Sequence, residues 1–397
     1  MRMPPLAAVS AGVLSSFVAF TSSFTVILQG LTGAGASQAQ AASGLMALTV
    51  VMGTCGIILS LHTRMPIPVA WSTPGAALLA ASGAPQGGFS VAVGAFLVAG
   101  LLVVASGLFR PLGRLISAIP TSLANAMLAG ILLALCLAPV RAVVESPAAG
   151  LAIAGTWLLV GRWKRLYAVP AAAVVTVAII LWRGSGVDLM AGPIVPTPVF
   201  VWPEFTLAAI VGTSLPLFVV TMASQNIPGL AVLKVNGFVP PPRPLFTLTG
   251  LATLVTAPFG GHSVNLAAMT AAICAGDEAG PDRSKRWWAG VVAGAVYIAF
   301  GLGAGIVTAF AGEAPLLVQA MAGLALVGAF SASLTGAMAD AGDREAATIC
   351  FLVTASGTSI FGISAPFWGL IAGAAVLALD RRRRTGSRRT VPVQENA

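Results

Sequence analysis

The sequence predicts an all-α polytopic membrane protein of fourteen transmembrane elements, arranged as a seven-plus-seven inverted repeat. The third and tenth elements are each broken into a short strand and a half-helix. Three observations carry this prediction. Of the 397 residues, 57% are hydrophobic and 8% charged, with a mean hydropathy of +0.94, whereas a soluble domain carries about 25% charged residues. Two distant stretches share one unusual pattern of prolines, hydroxyls and small residues. The Lys and Arg residues fall almost entirely on one side of the implied membrane layout.

The first seven elements fall at about 7–29, 39–61, 66–82, 89–108, 117–137, 148–160 and 167–182. The second seven fall at about 205–233, 244–257, 259–275, 287–310, 315–335, 345–360 and 364–379. Several are shorter than the ~20 residues of a straight span, which suits broken or steeply placed helices. The first apolar segment lacks a convincing cleavage site and reads as a retained span.

The third element reads Pro66-Ile-Pro-Val-Ala-Trp-Ser-Thr-Pro-Gly-Ala-Ala-Leu-Leu-Ala80. Two prolines spaced one apart fix extended backbone. Ser72 or Thr73 is then a good N-cap, Pro74 is tolerated in the first turn, and Gly75 onward continues as helix. The tenth element, Pro258-Phe-Gly-Gly-His-Ser-Val-Asn-Leu-Ala-Ala-Met-Thr-Ala-Ala272, repeats this grammar. Setting Ser263 on Ser72 aligns His262 with Trp71 and residues 267–272 with 76–81, and starts the second half-helix near Ser263. Non-helical backbone at membrane depth must be buried in protein or line a cavity, and paired interrupted segments point to a transporter's binding site.

Charge tests the layout. With the N-terminus in the cytoplasm, all 21 Lys and Arg residues except Arg141 and Arg183 lie on the inner side, as cytoplasmic loops require. Both termini are then cytoplasmic, and the excess of positive charge follows the membrane and not a nucleic-acid partner. An odd number of spans per half inverts the second half. Residues 1–182 form the first repeat, 183–204 a linker, 205–379 the second repeat, and 380–397 a basic tail expected to be disordered beside anionic lipid.

Two helix N-termini facing one point offer unsatisfied N–H groups and two positive dipole ends. This arrangement suits an anion, in particular a small carboxylate; two merely kinked packing helices are the alternative. Candidate contacts are Ser72, Thr73, Gly75, Ser263 and Asn265 at the breaks, Thr25 in the first span, and Gln225 and Asn226 in the eighth. A single Ser or Thr in a membrane helix commonly bonds back to its own helix. The amides of Gln225 and Asn226 and the imidazole of His262 need partners a helix cannot supply. Phe24, Trp71 and Phe218 offer faces for a planar apolar substrate, or serve as core filling.

No Asp or Glu falls in the middle of a span. His262 is therefore the intramembrane candidate for proton coupling, unless it is a neutral residue bonded to a nearby carbonyl. Cys55, Cys136, Cys274 and Cys350 show no ligand spacing, so neither a disulfide framework nor a metal site is expected. Nucleophile-elbow, P-loop and zinc-protease motifs are missing. The expectation is a non-enzyme without cofactors.

Met65-Pro-Ile-Pro-Val-Ala-Trp-Ser-Thr-Pro-Gly-Ala-Ala, Met222-Ala-Ser-Gln-Asn-Ile-Pro-Gly, Gly261-His-Ser-Val-Asn-Leu-Ala-Ala and Thr354-Ala-Ser-Gly resemble the benzoate:proton symporter (BenE) family of bacterial inner membranes. That family looks related to the uracil permease and sulfate-transporter superfamily. The resemblance implies a core domain of elements 1–4 and 8–11, a gate domain of elements 5–7 and 12–14, a site between the third and tenth elements, and a homodimer through the gate. It also implies import of benzoate or a similar aromatic carboxylate with a proton. Gln225 and His262 stand where uracil permeases look to carry acids, a change that suits an anionic substrate. The same fold carrying another organic anion, a nucleobase or sulfate, and an uncoupled anion uniporter or channel, are the alternatives.

Overall fold

The computed structural model describes residues 4–109, 111, 119–182 and 193–388, apart from the side chains of 310–313 and 381–388. Much of the linker, Arg110, Arg114, Arg183 and the last nine residues lie outside these. The first repeat contains α1 (Leu6–Gly33), α2 (Gln38–Thr63), β1 (Val69–Trp71), α3 (Thr73–Ser82), α4 (Phe89–Leu108), α5 (Thr121–Cys136), α6 (Ala138–Glu145), α7 (Pro147–Trp163) and α8 (Arg165–Trp182). The second contains α9 (Leu207–Val235), α10 (Pro242–Thr256), β2 (Val264–Leu266), α11 (Ala268–Ala275), α12 (Trp287–Leu302), α13 (Ala304–Glu313), α14 (Pro315–Met338), α15 (Arg344–Ala355) and α16 (Ala365–Arg388). All fourteen expected elements are present; the eleventh, expected at 287–310, is divided into α12 and α13, and α6 is a short addition. The basic tail differs from expectation, because α16 continues as helix through Arg388.

Packing obeys the inverted repeat. Exchanging each element with its counterpart seven places on maps α2 against α12 onto α10 against α4, and α1 against α3 onto α9 against α11. The pair α7–α8 maps onto α15–α16, the pair α5–α15 onto α14–α7, and α5–α14 onto itself. The first group of contacts builds a core and the second a gate. Close approach in the core depends on small residues. Gly53 of α2 and Gly294 of α12 face each other so closely that a Cβ on either would meet the other's carbonyl oxygen.

The two strands are the only sheet among the described residues. They pair antiparallel, Val69 with Leu266, Ala70 with Asn265 and Trp71 with Val264. Two further bonds extend the ladder at its ends, from Ser72 N to Ser263 O at 3.1 Å and from Ala267 N to Pro68 O at 3.4 Å. Each broken element thus satisfies the backbone of the other where neither is helical, which is the condition for surviving at membrane depth. Neighbouring helices take the remaining amides: Val264 N donates to Thr253 Oγ1 and Leu266 N to Asn226 Oδ1, both at 2.9 Å.

The eighth span, α9, is not a plain helix. It contains two π-helical turns, Ile210–Ser214 and Met222–Asn226, each next to a proline, Pro216 and Pro228. A proline lacks the N–H that would bond the carbonyl four residues earlier, which for Pro216 is that of Gly212. The Ser364 hydroxyl, just ahead of α16, donates to that carbonyl.

Candidate functional site

At the strand crossing, polar groups from both repeats meet in one buried cluster. Ser72 caps α3 by accepting from Gly75 N at 3.1 Å. Thr221 Oγ1 donates to Ser72 Oγ at 3.0 Å and lies 3.3 Å from Ser263 Oγ. His262 Nε2 is 2.9 Å from the Ser72 carbonyl oxygen. A carbonyl only accepts, so Nε2 carries the proton in this bond and Nδ1 is the open position; Nδ1 has no partner among the described residues. Ser72, Thr221 and His262 are fully buried.

Ser72 and Ser263 are not equivalents. The strand register pairs Ala70 with Asn265, so the residue that follows β2 as Ser72 follows β1 is Ala267. α11 starts at Ala268, with Ala267 as an N-cap that makes no side-chain bond, and Ser263 sits before β2. The expected alignment of Ser263 on Ser72 is four residues out of register, because the second half-helix starts without a Ser or Thr cap. The two helix starts consequently differ. At α3, Pro74 has no N–H, Gly75 N is taken by Ser72, and a Cβ on Gly75 would fall 2.6 Å from Leu217 Cδ1. At α11, the amides of Ala268, Met269 and Thr270 have no acceptor among the described residues.

The start of α11 also borders open space. A cavity of 740 Å³ lies between core and gate, lined by Val18 and Ser22 of α1, Met269 of α11, Arg162 and Arg165 at the α7–α8 turn, and Gly328 of α14. Arg162 and Arg165 are exposed and form no ion pair among the described residues. The cavity has a basic mouth, and Met269, in the uncapped first turn of α11 at the positive end of that helix's dipole, forms part of its wall. Such a site attracts and holds an anion.

The other expected site residues divide. Trp71 Nε1 donates to Ser23 Oγ at 2.9 Å, and Phe20 lies 5.5 Å from Trp71 and 5.6 Å from Phe24, forming an aromatic wall on α1. Thr73 and Gln225 are half-buried, and Gln225 makes no hydrogen bond among the described residues. Asn226 holds β2, while buried Asn265 has neither amide atom paired. Phe218 is packed in the core and lines none of the cavities described here. Thr25 lines a separate pocket nearer the other end of α1. Thr221 and Ser23 were missing from the expected set, although both stand in polar runs (Ser22, Ser23, Thr25 and Thr221, Ser224) unusual for spans. Among the described residues no group of three His, Cys, Asp or Glu is placed to hold a metal.

The BenE family, described as "Benzoate membrane transport protein", matches residues 3–379. Inner membrane protein YdcO of Escherichia coli (strain K12) is 40% identical over 381 residues, covering 94% of this chain and 97% of that protein. The Benzoate membrane transport protein of Acinetobacter baylyi (strain ATCC 33305 / BD413 / ADP1) is 31% identical over 369 residues, covering 93% of each chain. Among solved structures, the transmembrane domain of the cyanobacterium bicarbonate transporter BicA superposes with a TM-score of 0.55 at 17% identity, over 94% of this chain and 97% of that one. The murine anion transporter Slc26a9 in the inward-facing state superposes with a TM-score of 0.56 at 14% identity, over 97% of this chain and 69% of that one.

Proposed function

The chain belongs to the BenE family of benzoate membrane transport proteins, a family of transporters and not of enzymes, and from that premise we propose that it imports benzoate or a similar aromatic carboxylate by proton symport. The observation that carries this reading is the uncapped start of α11, whose Met269 lines a cavity with a basic mouth. The substrate carboxylate meets the amides of Ala268–Thr270, and its ring lies against the aromatic wall of Phe20, Phe24 and Trp71. Ser72, Thr73, Thr221 and Ser263 order the other side of the crossing, and Gln225 supplies an amide as the core moves. His262 takes the proton at Nδ1 without giving up its bond to Ser72. A buried imidazolium and a buried carboxylate stabilise each other, and each alone is costly. That mutual dependence is the coupling.

With both termini in the cytoplasm of a bacterial inner membrane, the basic mouth opens inward, and this conformation is the one that releases substrate. The first repeat (1–182) and second repeat (205–379) jointly build the core and the gate. The core carries the site across by moving against a gate that also forms a homodimer contact. The test is uptake of labelled benzoate into proteoliposomes under an imposed proton gradient. Accumulation that collapses with protonophore supports the whole reading. Saturable uptake without accumulation keeps the substrate and removes the coupling, and competition by uracil, sulfate or acetate redirects the substrate class. Ser72→Asp places a buried negative charge at the crossing, across from the bound carboxylate, and should abolish uptake in a protein that still folds.

A further inference from the structure

One stripe of α1 borders open space almost from end to end. Ser10 and Leu14 line a cavity near its start, Val18 and Ser22 line the basic-mouthed cavity, and Thr25, Gln29 and Thr32 line a pocket of 290 Å³ beyond it. Steps of three and four residues keep one helix face. α14 is the opposite wall in both of the last two spaces, through Gly328 in the cavity and Gln319 in the pocket. On α1 Ser22 and Thr25 are three positions apart, about 4.5 Å of rise.

The pocket holds hydrogen-bonding groups that the protein leaves unused. Thr21, Thr32, Ser16 and Ser23 of α1 all bond back to a carbonyl one turn earlier, the usual state of a hydroxyl in a membrane helix. Thr25 does not: it is fully buried and its Oγ1 has no partner. Gln29 Nε2, one turn further on the same face, is also buried and unpartnered. Gln38 and Gln319 stand at the exposed rim, and neither side chain is hydrogen-bonded among the described residues. Thr32 and Thr308 also line the pocket, but their protons are engaged by their own helices. Leu28 and Val318 supply an apolar wall.

We infer that this pocket is a second station for a small aromatic carboxylate, on the far side of the crossing from the basic mouth, holding the acid by uncharged donors from Thr25, Gln29, Gln38 and Gln319. It rests on the reading of the chain as a carboxylate transporter. Its size lies at the small end of ligand pockets (about 300–1,000 Å³), which suits a single ring. No charged side chain lines it among the described residues, so the station holds an acid without trapping it, whereas the basic mouth attracts through its arginines.

The test labels Gln319→Cys, in a Cys136→Ser background, with a membrane-impermeant maleimide applied from the face opposite the basic mouth. Benzoate should protect the thiol, and protection should persist when Ser72→Asp disables the central site. It should be lost in Thr25→Val/Gln29→Leu. Gln38→Cys gives the same readout from the other rim should Gln319→Cys fail to fold. Protection that vanishes with Ser72→Asp, or that survives Thr25→Val/Gln29→Leu, overturns the station. Intact benzoate uptake with no protection overturns it while sparing the proposed function. Absent uptake and absent protection by benzoate remove both.

Discussion

Thr221 joins the two repeats through side chains alone, since its hydroxyl touches Ser72 of the third element and Ser263 of the tenth. Asn226, five residues on, accepts from Leu266 N at 2.9 Å and donates to Met222 Sδ at 3.2 Å. Asn226→Ala leaves a buried strand amide without an acceptor, a loss of about 1–3 kcal/mol. Thermal unfolding in detergent should show the drop, and Asn226→Asp, which keeps the acceptor, should recover part of it. His262 makes a different prediction. A glutamine amide can donate to the Ser72 carbonyl as Nε2 does but cannot take up a proton at neutral pH. His262→Gln should therefore weaken benzoate binding measured by titration calorimetry at acidic pH, where the parent's imidazole is charged, and flatten the pH dependence of uptake. A pH profile matching the parent's would move the proton to the substrate or to another group.

At the scale of elements, α11 has eight residues, Ala268–Ala275, roughly 12 Å of helix, too short to stand without anchors at both ends. β2 holds one end. Arg286, 3% exposed, holds the other: Nη1 donates to Ala275 O at 2.7 Å, Nε to Gly280 O at 2.8 Å, and Nη2 meets Asp277 Oδ1 at 2.8 Å. The Asp277 carboxylate is fully exposed, so the contribution lies in the two carbonyls, with charge-assisted bonds of about 1.5–3 kcal/mol each. Arg286→Met should lower the unfolding temperature and weaken benzoate binding together, and Arg286→Lys should restore little, because an ammonium lacks the planar fork. The sequence made the broken elements legible through Pro66, Pro68, Pro74 and the small residues after them, whose backbone effects are local. It hid the start of α11, because Ala267 carries no capping signal and the amides it leaves open serve no helix-internal purpose. It also hid the π turns of α9: Pro216 and Pro228 mark a disturbance, but not which neighbour, here Ser364, would satisfy the freed carbonyl.

At the scale of the molecule, the proposed sliding of the core past the gate runs along the α1–α14 seam, where the larger of the core–gate cavities lies. Two glycines of α14 separate folding from passage. A Cβ on Gly323 would meet Pro139 Cδ at 2.7 Å, inside the gate, so a larger residue there should destabilise the protein by overpacking, about 1–3 kcal/mol. Gly328 has nothing within 4 Å of where its Cβ would be, and it lines the 740 Å³ cavity. Gly328→Trp should therefore fold with an unfolding temperature near that of the parent, yet stop benzoate uptake by filling the space between Ser22, Met269 and the basic mouth. Gly328→Ala, which adds one methyl to open space, should transport normally. Uptake by Gly328→Trp at the parent rate would mean that the substrate does not pass through this cavity. The path would then have to be sought on the pseudo-symmetric α5–α9 seam, where a smaller pocket of 170 Å³ lies between Asn125 and Ser224.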